Sequence, residues 1–339
     1  MKNTGPLKTT VTVILILAVL AVGGLGINHL FLNPGPPPAE EEQEIAETET
    51  EPPVEEEKEE EEEENNDLDW QPEDPGTHAN ILLLGLDNNG VSDAILIASY
   101  NMETFESSII GLKRDTFIED QDWAPDDPEY SHLGFAHYFG MIQENDYHQG
   151  GIYALLWIQH LLDIPIHGYA SINFDGFVEL VDEMNGVTID VDPGFAEREN
   201  NPLPTGKQTL SGDQALVYAR HRQNPRIPEP GSTSHDGDRV RRNQYLLQAL
   251  VRQAKQLEEE EMLDIFQKLQ DNLHTSLDDW DLLTLANLYY HNDLKEIETV
   301  VLPGESETLY DDDGEFISHF YYLDKAATKT ILQDLGLKQ

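Results

Sequence analysis

HANILLLGLDNNGVSDAILIASYNMETFESSIIGLKRDT, residues 78–116, is the stretch that decides the fold. It contains three apolar runs, 81–84, 94–100 and 107–112. The first ends in Gly85-Leu86-Asp87 and the turn-rich NNGVS. The third ends in Lys113-Arg114-Asp115-Thr116. A short continuous apolar run bounded by turn residues reads as a strand covered on both faces. Downstream, a helix is predicted over 151–162, a strand over 167–172, a helix over 174–184 and a strand over 187–191. Later segments predict helices over 258–273, 280–291 and 323–335, with a strand over 297–302. Strands alternating with helices predict an α/β fold with a largely covered sheet.

Upstream of this domain the chain changes character twice. Residues 1–8 carry Lys2 and Lys8, and residues 9–38 carry no Lys, Arg, Asp or Glu. The apolar part, 11–32, matches the length that a helix needs to cross about 30 Å of hydrocarbon. Lysines precede it and glutamates follow it, so 1–8 is predicted to be a cytoplasmic tail and everything beyond the span extracytoplasmic. No A-x-A cleavage pattern follows, which favours an uncleaved transmembrane helix over 9–32. Residues 33–77, rich in Pro and Glu, cannot bury a core and repel themselves, so they predict a disordered tether. The folded domain is then 78–339.

The 339 residues include 66 Asp plus Glu, 20 Lys plus Arg and no cysteine, for a formal net charge of −46. Disulfides and thiolate metal sites are excluded. So strong an acidic balance disfavours nucleic-acid binding, which needs a basic face. No G-x-S-x-G elbow, Walker loop or HExxH motif is present, and the 12 histidines are scattered.

Against that balance, six of the few basic residues crowd into 220–242: Arg220, Arg222, Arg226, Arg239, Arg241 and Arg242. Guanidinium forks suit phosphate because each offers two parallel charge-assisted hydrogen bonds. Surface salt bridges to neighbouring acids are the plainer alternative. Ser211 with Gln214 is a capping-box pattern that starts a helix. If the chain is extended after Ala219, Arg220 and Arg222 point to one side. A second helix is predicted from Asp238 as its cap, with Arg239, Arg242 and Asn243 sharing a face.

Asp87 and Asp93 flank the first turn. If the flanking strands pair, both carboxylates stand at one end of the sheet, where two carboxylates plus substrate phosphate can hold Mg²⁺. Plain turn chemistry explains the same residues equally well. Arg114-Asp115 ends the third strand at the same sheet edge, where ligands of open α/β sheets gather; a surface ion pair is its alternative.

Together these pieces resemble the LytR-CpsA-Psr family. NILLLGLD, VSDAILIASYN, IIGLKRDTF, HLGFAHYFG, the run ILLDIPIHGYASINFDGFVELVDEMNGVTIDV, LSGDQALVYARHR and DGDRVRRNQ follow the family's order over about 78–257. The resemblance implies an α/β/α sandwich around a central mixed sheet, with an apolar tunnel for a lipid tail. It implies an extracytoplasmic, membrane-anchored phosphotransferase. Such an enzyme moves a teichoic-acid-like or capsular glycopolymer from a polyprenyl-pyrophosphate carrier to peptidoglycan. It places the metal carboxylates at Asp87 and Asp93, for Mg²⁺ or its substitute Mn²⁺. It places pyrophosphate contacts at Arg114, Arg220, Arg222, Arg239 and Asn243, and it pairs Asp236 with Arg239; a carboxylate such as Asp236 can take the proton of the acceptor hydroxyl. The chain departs from the family at Asn88, Asn89 and Val91, where arginines are usual. It also departs at Lys113, in place of a proline, and at Gly134, in place of an asparagine. These departures weigh for an alternative: a catalytically impaired polyprenyl-phosphate-binding or scaffold protein, or a weak pyrophosphatase. A transcriptional regulator is incompatible with the topology and the charge.

Overall fold

The three apolar runs become three adjacent strands, β1 (His78–Leu86), β2 (Ser92–Asn101) and β3 (Ser107–Leu112). The structure, a computed structural model, describes residues 76–104, 106–118, 130–191, 203–221, 235–254, 256–257, 259–277, 297–310 and 316–338. Two helices follow β3, α1 (Ala136–Glu144) and α2 (Tyr147–Leu162). Next come β4 (Gly168–Asn173), α3 (Phe174–Glu183), β5 (Val187–Val191), β6 (Gly206–Leu210) and α4 (Gly212–Arg220). The chain continues through α5 (His235–Ala254), α6 (Glu259–Leu269), β7 (Leu273–Thr275) and β8 (Glu298–Val301). It closes with β9 (Gly304–Tyr310), β10 (Phe316–Leu323) and α7 (Lys325–Asp334).

Six strands form one mixed sheet in the order β7-β4-β1-β2-β3-β8. β1 pairs antiparallel to β2 and parallel to β4. The continuous apolar runs are explained by helices on both faces. Alternation along β4 shows this, because successive side chains of a strand point to opposite faces. Tyr169 lies against α2, where a Cβ on Gly151 would come within 2.0 Å of its ring. Ala170, the next residue, joins the core formed with α3, α4, α5 and α6. Leu82, Ile97 and Ile110 have no exposure, and burial of each contributes about 1.5–3 kcal/mol.

Several predicted elements shift. The strand 187–191 forms as predicted but pairs with β6, outside the central sheet. Helix 258–273 ends at Leu269, and its last residues turn into the edge strand β7. The β9–β10 pair and α1 were not foreseen. Arg220 ends α4 as a helical residue instead of starting an extended segment. α5 begins at His235, one turn before the cap expected at Asp238, and Asp238 instead accepts from Arg241 Nη1 at 3.4 Å. Residues 1–75, with the expected anchor and tether, lie outside the described residues, as does 280–291. Among the described residues no helix is long and apolar enough to cross a membrane.

Candidate active site

The site is built at one end of the central sheet. β1 and β2 are joined by a tight turn in which Asp87 N–H donates to Val91 O (2.9 Å) and Gly90 N–H to Asp87 O (3.0 Å). Gly90 has φ +83°, a backbone that a side chain would strain. His137 of α1 fixes the turn from beneath, its Nδ1 3.0 Å from Gly90 O. Asp87 and Asp93 therefore stand at the same sheet end, as the spacing suggested. Asp87 Oδ1 also accepts the Asn89 and Val91 N–H groups, at 2.9 and 3.0 Å. The turn chemistry is real for that oxygen.

Asp93 is the hub. Its Oδ1 accepts Arg114 Nη1 at 2.6 Å and Arg239 Nη1 at 3.2 Å, and its Oδ2 accepts Arg220 Nε at 3.4 Å. Arg114 comes from 21 residues away in sequence, Arg220 from 127 and Arg239 from 146, and all three meet on one carboxylate. Burial pushes the Asp93 carboxyl up, but Arg239, Arg114 and Arg220 outweigh it and hold it below the usual carboxylate range. Arg114 Nε also donates to Asp115 at 3.2 Å. Among the described residues, three guanidiniums thus converge on the Asp93 carboxylate.

Each arginine is held differently. Arg239 is 1% exposed. It reaches the sheet because α5 crosses β3 at Gly111, where a Cβ would sit 2.2 Å from Val240 Cγ1. Arg220, half exposed, lies 4.1 Å over the Phe174 ring. It ends α4, where the helix dipole favours a cation. Arg242 does not share the role of Arg239. It is buried, and its Nε donates to Tyr218 O at 3.1 Å and its Nη2 to His221 O. It ties the end of α4 to α5 and so positions Arg220. Arg114 packs beside Gly134, where a Cβ would touch the Arg114 and Ser92 backbones at 3.2–3.3 Å. No asparagine fits there without a shift.

An apolar cavity of about 120 Å³ opens beside the hub. Asp93, Arg220, Asn173 and Asn243 form its polar end, and Leu83, Leu96, Phe177, Leu216, Leu246 and Leu250 line its wall. Ile152, Leu155 and Ile158 of α2, expected to line such a pocket, are buried and are not among the residues that line this cavity. Asn243 lies one helical turn beyond Arg239, as its spacing implied. Phe174 and Asn173 were missed as site residues. Asn173 carried a signal, since its side chain accepts from Gly176 N–H and caps α3 at a strand end.

Arg222 and Arg226 lie outside the described residues. Asp236 falls in the first turn of α5, and its side chain is likewise outside them. Among the described residues no group of three or more His, Asp or Glu gathers as a metal cage. The donor chemistry nevertheless suits Mg²⁺, which takes oxygen ligands from one or two carboxylates and completes its shell with substrate phosphate and water. Asp87 and Asp93 supply such oxygens at one sheet end.

The LytR_cpsA_psr family model matches residues 43–334. An uncharacterized Staphylococcus aureus protein is 27% identical over 250 residues, which is 68% of this chain and 56% of that protein. The chain thus spans little more than half of that relative's length. A polyisoprenyl-teichoic acid–peptidoglycan teichoic acid transferase TagU of Enterococcus faecalis is 27% identical over 233 residues, 66% of this chain and 70% of that one. The solved structure of TagT bound to LI-WTA aligns with TM-score 0.58 at 23% identity, over 78% of this chain and 92% of that chain. That is a likeness of fold.

Proposed function

We propose that this chain, which belongs to the LytR_cpsA_psr family, transfers an anionic glycopolymer of teichoic-acid or capsular type from a polyprenyl-pyrophosphate carrier to peptidoglycan. One observation carries the reading. Asp93 gathers Arg114, Arg220 and Arg239 at the mouth of an apolar cavity. A pyrophosphate between a sugar polymer and a prenyl tail needs both halves of that arrangement.

In the reaction the acceptor hydroxyl of peptidoglycan attacks the phosphorus that bears the polymer. Its P–O bond forms as the bond to the bridging oxygen breaks, and polyprenyl phosphate departs with that electron pair. Charge accumulates on the leaving phosphate. Arg114, Arg220 and Arg239, joined by Arg222, hold the phosphate oxygens in the geometry that stabilises this charge. Because the arginines already converge on Asp93, little reorganisation is needed when a phosphate replaces the carboxylate. Asp236 takes the proton of the acceptor hydroxyl. Asp87 and Asp93 would hold Mg²⁺, which when bound neutralises phosphate charge. Asn243 donates to a phosphate oxygen at the cavity mouth, and the aliphatic wall takes the first part of the tail.

The anchor over 9–32 sets the domain on the outer face of the cell membrane, where the lipid carrier is presented. The alternative, a polyprenyl-phosphate-binding scaffold or weak pyrophosphatase, draws on the absence of arginine at Asn88, Asn89 and Val91. The intact Arg114–Asp93–Arg239 set favours transfer. The test incubates the full chain in detergent with a synthetic prenyl-pyrophosphate-linked disaccharide phosphate and peptidoglycan. Polymer linked to the wall and lost in Arg220→Ala supports transfer. Bound lipid without turnover at saturating Mg²⁺ makes the scaffold the better reading.

A further inference from the structure

A second cavity, of about 470 Å³, lies between the end of α2, β10 and α7, apart from the arginine site. Phe117, Tyr322 and Leu332 give it apolar and aromatic walls, and His160, Lys325, Lys329 and Lys338 rim it. Three lysines around one cavity are notable in a chain with only 20 Lys plus Arg against 66 acids.

Two of them stand in the first turns of α7, and Lys329 also faces the Asp163 carboxylate. Lys325 opens α7 and Lys329 follows four residues later. Cations near a helix N-terminus oppose its dipole, and like charges four apart on one face repel. Asp324 caps the helix through the Ala326 and Ala327 N–H groups. Asp163 is matched to Lys338 at 2.8 Å, and Lys338 also donates to Leu162 O. A further observation points to a ligand. Thr328, 6% exposed, lines the cavity, and its buried Oγ1 has no hydrogen-bond partner.

We propose that this cavity binds a phosphodiester unit of the anionic polymer, a subsite beyond the pyrophosphate. The inference rests on the function proposed above. Thr328 Oγ1 donates to a phosphate oxygen, Lys325 and Lys329 balance its charge, and Phe117 and Tyr322 carry the sugar or polyol between phosphates. Connectivity favours the polymer over the wall acceptor. Phe117 and Ile118 continue the segment that bears Arg114, and that segment is tied to β10 by Phe117 N–H to Tyr321 O (2.9 Å) and Tyr321 N–H to Asp115 O (2.8 Å). Three residues of chain span at most about 11 Å. A polymer whose pyrophosphate sits on Arg114 therefore reaches this cavity as a tethered ligand at high effective concentration.

The test titrates the full chain in detergent with a lipid-free glycerol-phosphate oligomer, with inorganic pyrophosphate and with a soluble muropeptide. Lys325→Glu with Lys329→Glu should weaken the oligomer about tenfold and leave pyrophosphate binding unchanged; Lys325→Arg with Lys329→Arg should restore it. Thr328→Val, close in shape, should weaken the oligomer without charge reversal. In transfer assays the Glu pair should raise KM for a long polymer and leave kcat and a single-repeat substrate unaffected. Unchanged oligomer affinity in both the Glu pair and Thr328→Val overturns the subsite. Muropeptide binding lost in the Glu pair, with oligomer binding intact, overturns the choice of polymer. Oligomer binding that follows these variants in a protein without transfer keeps the subsite and rejects the transferase.

Discussion

Lys113 holds its ammonium 3.6 Å above the centre of the Tyr321 ring, and Lys113 itself is 4% exposed. The contact fastens the turn that carries Arg114 to β10. It also explains how a lysine serves where the family resemblance leads one to expect a proline. The ring does by attraction what a fixed backbone angle would do by constraint. Tyr321→Leu should destabilise the protein by about 3 kcal/mol, the sum of a desolvated cation–π contact and the hydroxyl bond to Leu302 O. Tyr321→Phe should cost only about 1 kcal/mol. Urea denaturation of the two variants measures the split, and equal losses would remove Lys113 from the account.

In the proposed reaction Asp93 competes with phosphate for the three arginines that it holds. Asp93→Asn should therefore bind inorganic pyrophosphate more tightly than the parent in the absence of metal, and gain nothing on addition of Mg²⁺. Without ligand the variant should lose about 3 kcal/mol, because buried Arg239 keeps its charge and loses its counterion. Calorimetric titration with and without Mg²⁺ checks the first part, and thermal unfolding with and without pyrophosphate checks the second. Weaker metal-free binding would show that Asp93 assists the anion directly.

Arg220 pairs with Asp93 and lies over the Phe174 face, and in the proposed reaction its fork holds a phosphate. Arg220→Ala should lower kcat for transfer about a hundredfold with the fold intact by circular dichroism. Lysine should rescue little, since a point charge replaces neither the fork nor the stacking. Phe174→Leu should give a smaller loss, read mainly in KM.

His137 is buried beneath the β1–β2 turn, and burial drives its pKa down to about 4 against a partial offset from the Gly90 carbonyl. A base depressed in the fold leaves stability fully present above its unfolded pKa. That stability falls as pH drops from about 6.5 toward 4, by about 1.4 kcal/mol per unit. Urea midpoints at about pH 7.5 and about pH 5 should differ by some 2 kcal/mol more in the parent than in His137→Gln. Parallel losses in the two proteins would place the acid sensitivity elsewhere.

The central sheet was legible because its strands are continuous apolar runs, a local signal. β9 and β10 were not, since GESETLY and FISHFYYL mix polar and aromatic residues without a clean period. The arginine cluster was legible as a charge anomaly, and Arg114, Arg220 and Arg239 do converge on Asp93, but the division of labour within it was not legible. Arg239 and Arg242 are three apart on one helix, yet one meets Asp93 and the other the end of α4. Only the packing of α4 against α5 separates them. The second cavity was invisible because its parts come from segments about 160 residues apart in the chain.

Gln244 donates through Nε2 to Ile109 O of β3 at 2.9 Å and to Val300 O of β8 at 2.7 Å, partners 135 and 56 residues away. One side chain thus closes the seam between two strands that the ribosome delivers far apart in time. Until β8 arrives, SSIIGL in β3 is an open, apolar strand edge, the kind of template on which chains aggregate. β8, the last strand of the central sheet to be made, is also the cover for the edge of β3. Folding of this protein should be sensitive to truncation or delay of its C-terminal portion, well beyond any loss at the arginine site. Gln244→Leu should refold with more aggregate at equal chain concentration, and light scattering during refolding would register it.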